Sequence, residues 1–176
     1  MSLLKFLGLE PRETTPGNTE TVRRIVGELE QMEPGRARYL AAFAYVLSRV
    51  ANADLQITDA ETRTMEEIVA RVGQLPEEQA VLVVQIAKTQ NRLIGGTEDF
   101  LVTREFRQIA SFDQCRQLID CLFAVSAADG TISSAEEGQI WQVASELGIA
   151  HDEFLAVRGR YSGQREVLRT FREQLK

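Results

Sequence analysis

The chain has 176 residues, of which 44% are hydrophobic and 26% are charged, so it is long enough for one compact domain with a sizeable core. Its net charge of −6 disfavours contact with phosphate backbones, which argues against a nucleic-acid partner. No apolar run reaches the roughly 18 residues that a membrane-spanning helix needs. Cys115 and Cys121 are six residues apart and fall on different helix faces, which favours two buried, reduced thiols in a cytoplasmic protein.

The first 18 residues are predicted to be a tail and a linker. The opening MSLLKFLGLEP is apolar but lacks the cleavage-site pattern of a signal peptide. Its apolar side chains could contact a membrane surface or a protein partner, or they could pack on the domain itself. Two prolines, a glycine and polar residues indicate the linker PRETTPGN, residues 11–18.

Helical periodicity dominates the rest of the chain. Residues 19–32 and 36–53 carry apolar side chains at the spacing of one helix face. Thr58 with Glu61 forms the capping-box pattern that opens a third helix, which Gly73 ends. No segment alternates with period two, so the chain is predicted to be all-α. Further helices are expected from Pro76 and from about Thr97, Ser111, Ser133 and Ser162.

Two regions of the chain repeat one helix–turn–helix pattern at an offset of 75 residues, the distance from Asp54 to Asp129 (129 − 54). Thr58 and Ser133 are equivalent helix caps in the two regions. An internal duplication is therefore predicted. The identical residues are Leu47, Val50, Ala53, Asp54, Ile57, Ala60, Glu61 and Gly73 in the first copy, and Leu122, Val125, Ala128, Asp129, Ile132, Ala135, Glu136 and Gly148 in the second.

The repeated segments define a first and a second acidic turn, residues 52–61 and 127–136. Glu61 and Glu136 could serve only as capping-box carboxylates, which accept hydrogen bonds from backbone N–H groups. That role leaves Asp54 and Asp129 unexplained, because a carboxylate at the end of a helix faces the negative pole of the helix dipole. A cation held between the Asp and Glu side chains would offset this cost.

The second acidic turn, within AADGTISSAEE, matches the second half of an EF-hand calcium loop. Taking Asp129 as position 5 places Gly130 at position 6 and Glu136 at position 12. Positions 1 and 3 are then Val125 and Ala127, which carry no carboxylate. Neither copy is a complete EF-hand, because calcium takes about six to eight oxygen ligands. Two turns brought together by the duplication could supply them.

The pair ANADLQITDAE and AADGTISSAEE, set in a duplicated helical unit over residues 36–149, resembles the TerB family of tellurite-resistance proteins. The resemblance implies an all-helical domain, a role in bacterial stress responses, often near membranes, and a divalent metal bound by acidic residues of these turns. The first copy departs from the second, because Leu55 stands where Gly130 stands. The metal ligands implied by the resemblance are Asp54, Glu61, Asp129 and Glu136.

Other features leave alternatives open. Trp141 could anchor a partner if it is exposed, although a lone Trp at this spacing is more often part of the core. Arg165, Arg169 and Arg172 share one face of the C-terminal segment, which could meet acidic lipid head groups or face solvent. A hydrolase is disfavoured, because the serines of the second acidic turn have no histidine near them in sequence and His151 suits a surface or capping role.

The sequence thus predicts an all-α single domain of two related helix–turn–helix units with flanking helices. Its parts are a tail and linker, a helical domain and a C-terminal helix, at residues 1–18, 19–158 and 159–176. The predicted function is a non-enzymatic binding module for calcium or magnesium, with a protein partner and a location in the cytoplasm or at the membrane surface. The alternative is an interaction domain, contacting protein or membrane, whose acidic turns are only caps.

Overall fold

The computed structural model describes residues 16–51, 58–90, 99–166 and 168. Over these residues the chain forms eight α-helices and no strand, which confirms the all-α prediction. The helices are α1 (Pro16–Glu30), α2 (Pro34–Ala51), α3 (Asp59–Arg71), α4 (Glu77–Gln90), α5 (Asp99–Ile109), α6 (Phe112–Ser126), α7 (Ser134–Leu147) and α8 (His151–Arg160). The predicted tail at residues 1–15 and the connector at residues 91–97 lie outside the described residues.

Two helix boundaries differ from the prediction for the same reason. α1 and α2 each begin two or three residues early, at Pro16 and Pro34. Proline suits the first helical position, because its missing N–H would have no partner within the helix. At α2 the carboxylate of Glu33 also accepts hydrogen bonds from the N–H groups of Gly35 and Arg36, at 2.9 and 2.8 Å. These two bonds hold the pKa of Glu33 below its usual range.

Helix α8 is absent from the sequence prediction. Only two of its ten residues, Phe154 and Val157, are buried, so the helix has little apolar periodicity to reveal it. It packs against α6, with the Phe154 ring centroid 5.6 Å from that of Phe123. The chain then turns at residues 161–164, where the sequence predicted the start of a further helix. The remainder of that predicted C-terminal helix lies largely beyond the described residues.

The core is built around α2, which contacts α1, α4, α5, α6 and α7. Its alanines allow this close approach from several sides, and nearly every residue from Tyr39 to Val50 is buried. Phe106 of α5 seals one side, with its ring centroid 5.2 Å from Tyr39 and 6.2 Å from Phe43. Packing on all sides, rather than one amphipathic stripe, is what a central helix requires.

The two predicted helix–turn–helix units are α2 with α3 and α6 with α7. α2 contacts α6 and α7, and α3 contacts α6, so the two units pack against each other. The units end differently, since α7 ends on the left-handed Gly148, whereas the left-handed residue after α3 is Gln74, one position beyond Gly73. The duplication stays a prediction, because residues 52–57 are outside the described part of the chain.

Two further features of the described helices are their hydrophobicity and their cysteines. No helix among the described residues combines the length and hydrophobicity needed to cross a bilayer. Cys115 and Cys121 are both buried and unbonded, as predicted. Burial raises the pKa of Cys121 to about 12, which keeps this thiol protonated and unreactive at neutral pH.

Candidate functional site

The second acidic turn joins α6 to α7 and is described in full. Gly130 takes the left-handed conformation, with φ of 90°, which reverses the chain at the end of α6. The Oδ1 atom of Asp129 accepts a hydrogen bond from the N–H of Thr131 at 2.9 Å, so this carboxylate closes the turn. Ile132 then enters the core, where it is 1% exposed. Asp129 and Glu136 therefore flank a turn that is anchored at its centre by a buried side chain.

Both capping boxes are present as predicted. The Oε2 atom of Glu61 accepts the N–H of Thr58 at 2.6 Å, and this bond lowers the pKa of Glu61. The Oε2 atom of Glu136 accepts both the N–H and the hydroxyl of Ser133, at 2.8 and 2.7 Å. In each carboxylate only Oε2 is used, and Oε1 accepts no hydrogen bond from a described residue. The capping role is confirmed, and it occupies one oxygen of each glutamate.

The four predicted metal ligands are not brought into one cluster by the described residues. Asp54 lies outside them, so the structure does not place it. Among the residues that are described, no three His, Cys, Asp or Glu side chains lie close enough together to hold a metal ion. Glu61, Asp129 and Glu136 thus do not form such a group by themselves. A site shared between the two turns stays a prediction that depends on Asp54.

A short C-terminal segment, residues 161–166, lies across the second acidic turn, and we refer to it as the C-terminal strap. It forms an isolated parallel β-bridge between Arg165 and Ile132. The N–H of Ile132 donates to the carbonyl oxygen of Gln164 at 2.8 Å, and the N–H of Glu166 donates to the carbonyl oxygen of Ile132 at 3.0 Å. Both backbone polar groups of Ile132 are therefore bonded to the strap. Nothing in the local sequence pattern signals this contact.

Side chains fix the strap at both ends. Arg165 makes a two-point ion pair with Glu137 of α7, with N–O distances of 2.7 and 2.8 Å. Arg158 of α8 also contacts Glu137, at 3.1 Å, so two guanidinium groups share one half-buried carboxylate. At the other end, the Tyr161 hydroxyl donates to Oδ1 of Asp120 at 2.8 Å. Burial, and then this contact, raise the pKa of Tyr161 well above its usual range.

Helices α7 and α8 line an open groove of about 310 Å³, which we refer to as the aromatic groove. Trp141 is 37% exposed, so it is neither a core residue nor fully in solvent. Its ring packs edge-on against His151 and Phe154, with centroid distances of 5.0 and 4.8 Å. Small side chains on α7 keep the groove open. The lining residues are Ser134, Glu137, Gly138, Trp141, His151, Phe154 and Arg158.

An ion pair joins the end of α2 to α7, beside the first acidic turn. Nη1 of Arg49 lies 2.8 Å from Oε2 of Glu146 and 2.6 Å from the hydroxyl of Thr103 in α5. The Arg49 and Glu146 side chains are 11% and 9% exposed. This pair ties three helices together at the point where the chain leaves α2.

The family model described as Tellurite resistance protein TerB matches residues 18–159. The chain belongs to the TerB family. The match contains both acidic turns and confirms the resemblance that their two motifs indicated. No curated protein and no solved structure matches the chain significantly. The TerB match ends at residue 159, so the C-terminal strap lies beyond the matched segment.

Proposed function

We propose that this TerB protein is a non-enzymatic module that binds a divalent cation, calcium or magnesium, at its acidic turns. The observation that carries the proposal is the partial use of the capping carboxylates. Glu61 and Glu136 each use one oxygen for the helix cap, and Oε1 of each accepts no hydrogen bond from a described residue, so it is available for a ligand. Carboxylate and carbonyl oxygens are the ligands that calcium and magnesium prefer.

The second acidic turn offers the better-defined half of such a site. Asp129 uses Oδ1 within the turn, and no described residue donates a hydrogen bond to its Oδ2, so Asp129 and Glu136 together present two carboxylate oxygens. Magnesium is commonly held by one or two carboxylates with several waters, and calcium sites with few charged ligands bind weakly. Binding in the millimolar range is therefore expected for the second turn by itself. Asp54 and Glu61 would strengthen it if they share the cation.

The biological setting is part of the same proposal. The family takes its name from tellurite resistance, which supports a role in a bacterial stress response. Cation binding would then alter the surface that a protein partner meets, in the cytoplasm or at the membrane surface. An enzyme is not proposed, because Ser134 and His151 both line the aromatic groove but no hydrogen bond joins their described side chains.

Replacing Asp129 with asparagine is expected to abolish cation binding without unfolding the turn. Asparagine keeps an Oδ1 that accepts the N–H of Thr131, so only the charge is lost. Wild-type protein should gain about 2.7 kcal/mol of stability when calcium or magnesium reaches a hundred times its dissociation constant. Titration calorimetry and the melting temperature with each cation measure binding and stabilisation.

Two variants serve as matched controls for that experiment. Asp113→Asn removes an exposed carboxylate from the first turn of α6 and should leave cation binding unchanged. Glu136→Gln keeps the capping box, which accepts Gln as well as Glu, and should weaken binding. If neither cation gives heat or a higher melting temperature at concentrations up to a hundred times the expected millimolar dissociation constant, the acidic residues act as caps only and the proposal is wrong.

The aromatic groove favours a second candidate function, an interaction domain that accepts an apolar group of a protein partner. A partly exposed Trp and the guanidinium of Arg158 line the same groove, and Trp and Arg are residue types that recur at binding hot spots. Trp141 is the only Trp of the chain, so its fluorescence reports on this groove directly.

Filling the groove is expected to block ligand entry. A Cβ added at Gly138 would meet no atom within 4 Å, so the side chain of Gly138→Leu begins in open space at the lining of the groove. The anionic apolar dye 8-anilinonaphthalene-1-sulfonate should bind the wild-type protein and quench Trp141 emission, and Gly138→Leu should lose this response. Gly27→Leu, in α1 and equally unobstructed, is the control. Equal quenching in wild type and Gly138→Leu would contradict a ligand-binding groove.

A further inference from the structure

We propose that the C-terminal strap regulates the second acidic turn, so that strap docking and cation binding strengthen one another. The inference rests on the proposed function, since it concerns the same cation site. Its basis is the β-bridge, which is an unusual feature in an otherwise helical structure. The strap satisfies the N–H and the carbonyl oxygen of Ile132, the residue midway between Asp129 and Glu136.

Hydrogen bonds join the strap to the second acidic turn. Ile132 cannot move without breaking its bonds to Gln164 and Glu166, at 2.8 and 3.0 Å. The N–H of Ser134 also donates to the Glu166 carboxylate at 3.3 Å. A cation that holds Asp129 and Glu136 restricts the backbone between them, which is the segment that the strap binds. Release of the strap allows the two carboxylates to move apart.

Charge adds a second link between the strap and the turn. Arg165 pairs with Glu137, the residue next to Glu136 in the first turn of α7. When the strap is docked, Arg165 and Arg158 both compensate the Glu137 carboxylate, so Glu137 is engaged away from the turn. The docked strap therefore engages Glu137 and is bonded to the backbone between Asp129 and Glu136.

Thermodynamic linkage sets the size and the symmetry of the effect. If strap docking raises cation affinity by some factor, cation binding must favour strap docking by the same factor. Coupling of this kind commonly amounts to about 5- to 150-fold, and a single two-bond bridge is expected at the lower end. A five- to tenfold loss of calcium affinity is thus expected when the bridge is broken.

Position 166 allows a matched test of the bridge. Glu166→Pro removes the N–H that bonds to Ile132, and Glu166→Gln keeps that N–H but removes the same carboxylate charge. Proline is tolerated there, because Glu166 begins a helical turn and Arg165 before it is already extended. Any difference between the two variants comes from the lost bonds of residue 166 to Ile132 and Ser134, and not from the charge.

The experiment compares wild type, Glu166→Gln and Glu166→Pro by two measurements. Calcium and magnesium titration calorimetry should give similar affinities for wild type and Glu166→Gln, and a five- to tenfold weaker affinity for Glu166→Pro. Without cation, amide hydrogen exchange of Ile132 should be faster in Glu166→Pro than in Glu166→Gln. Added calcium should slow that exchange in wild type.

The outcomes separate this inference from the proposed function. Equal exchange at Ile132 in the two variants would show that the bridge does not hold the strap, and equal cation affinities would show that strap and site are independent. Either result overturns the regulation. If wild type binds neither cation, the proposed function fails, while the exchange rates still decide whether the strap holds the turn.

Discussion

Replacing Arg49 with methionine is expected to lower the free energy of unfolding by about 3–5 kcal/mol. The guanidinium lies 2.8 Å from the Glu146 carboxylate, and both side chains are almost buried, at 11% and 9% exposed. Methionine keeps the length and the apolar stem of arginine but removes the charge. The carboxylate of Glu146 would then stay in a poorly hydrated place without its cation, and the hydroxyl of Thr103 would lose a donor at 2.6 Å.

The pH dependence of this variant follows from the pKa of Glu146. Burial pushes that pKa up, but the hydrogen bonds and the charge of Arg49 outweigh burial, so the pKa lies below 4.5. A carboxyl whose pKa is lower in the folded than in the unfolded state stabilises the fold above the unfolded value, and this stabilisation is lost as the pH falls through the folded value. Without Arg49 the pKa rises. The stability difference between wild type and Arg49→Met should therefore shrink as the pH falls from the raised pKa of the variant towards the lowered pKa of wild type.

Urea unfolding of four proteins at neutral and acidic pH checks this expectation. The double variant Arg49→Met with Glu146→Met leaves no unpaired charge and should recover most of the loss, because a buried ion pair can often be replaced by apolar groups at little cost. Glu146→Gln completes the thermodynamic cycle. If the double variant is as unstable as Arg49→Met at neutral pH, the loss comes from packing, and the role assigned to the ion pair is incorrect.

Features that depend on a few neighbouring residues could be predicted from the sequence. The capping boxes join residues three apart, so Thr58 with Glu61 and Ser133 with Glu136 were identifiable from residue type and spacing. The all-α fold followed from apolar periodicity, and the TerB family from two short motifs. In each case the physical cause lies within one or two helical turns of the chain.

Features that depend on distant residues could not be predicted in this way. The bond from Ile132 to Gln164 joins residues 32 apart in sequence (164 − 132), and extended pairing of one residue leaves no periodic pattern. The ion pair of Arg49 with Glu146 spans 97 residues. Helix α8 buries too few residues to show a stripe. The partial exposure of Trp141 depends on how α8 packs, so the sequence does not decide whether this residue is part of the core or of the surface.

The candidate site shows the same limit at the level of single atoms. Sequence spacing indicates that Glu136 is both a helix cap and a metal ligand, and both roles require oxygens of the same carboxylate. The structure assigns both capping hydrogen bonds to Oε2 and none from a described residue to Oε1. The two roles are therefore compatible for Glu136, which spacing could not reveal because it carries no information about individual oxygens.

A large loss of packing is expected from Phe123→Ala, at about 3–5 kcal/mol of unfolding free energy. Phe123 of α6 is fully buried, and its ring lies between Phe154 of α8 and Tyr161 of the C-terminal strap. The Phe123 ring centroid lies 5.6 Å from that of Phe154 and 5.5 Å from that of Tyr161. The Tyr161 ring is nearly parallel to the Phe123 ring, at 13°. Alanine would leave a cavity under both elements, which can refill only if α8 and the strap move together.

Phe112→Ala is the matched control, because it makes the same substitution on the same helix where the side chain is 51% exposed. Its effect should stay within about 0.5 kcal/mol, the range of ordinary surface substitutions. Urea unfolding gives both values. Trp141 provides a local readout, because its ring contacts Phe154, and a shift of α8 in Phe123→Ala should move Trp emission to longer wavelength before global unfolding. If Phe123→Ala costs no more than Phe112→Ala, this ring does not anchor α8 and the strap, and the strap is held by its polar contacts, which are the Ile132 bridge, the Glu137 ion pairs and the hydrogen bond from Tyr161 to Asp120.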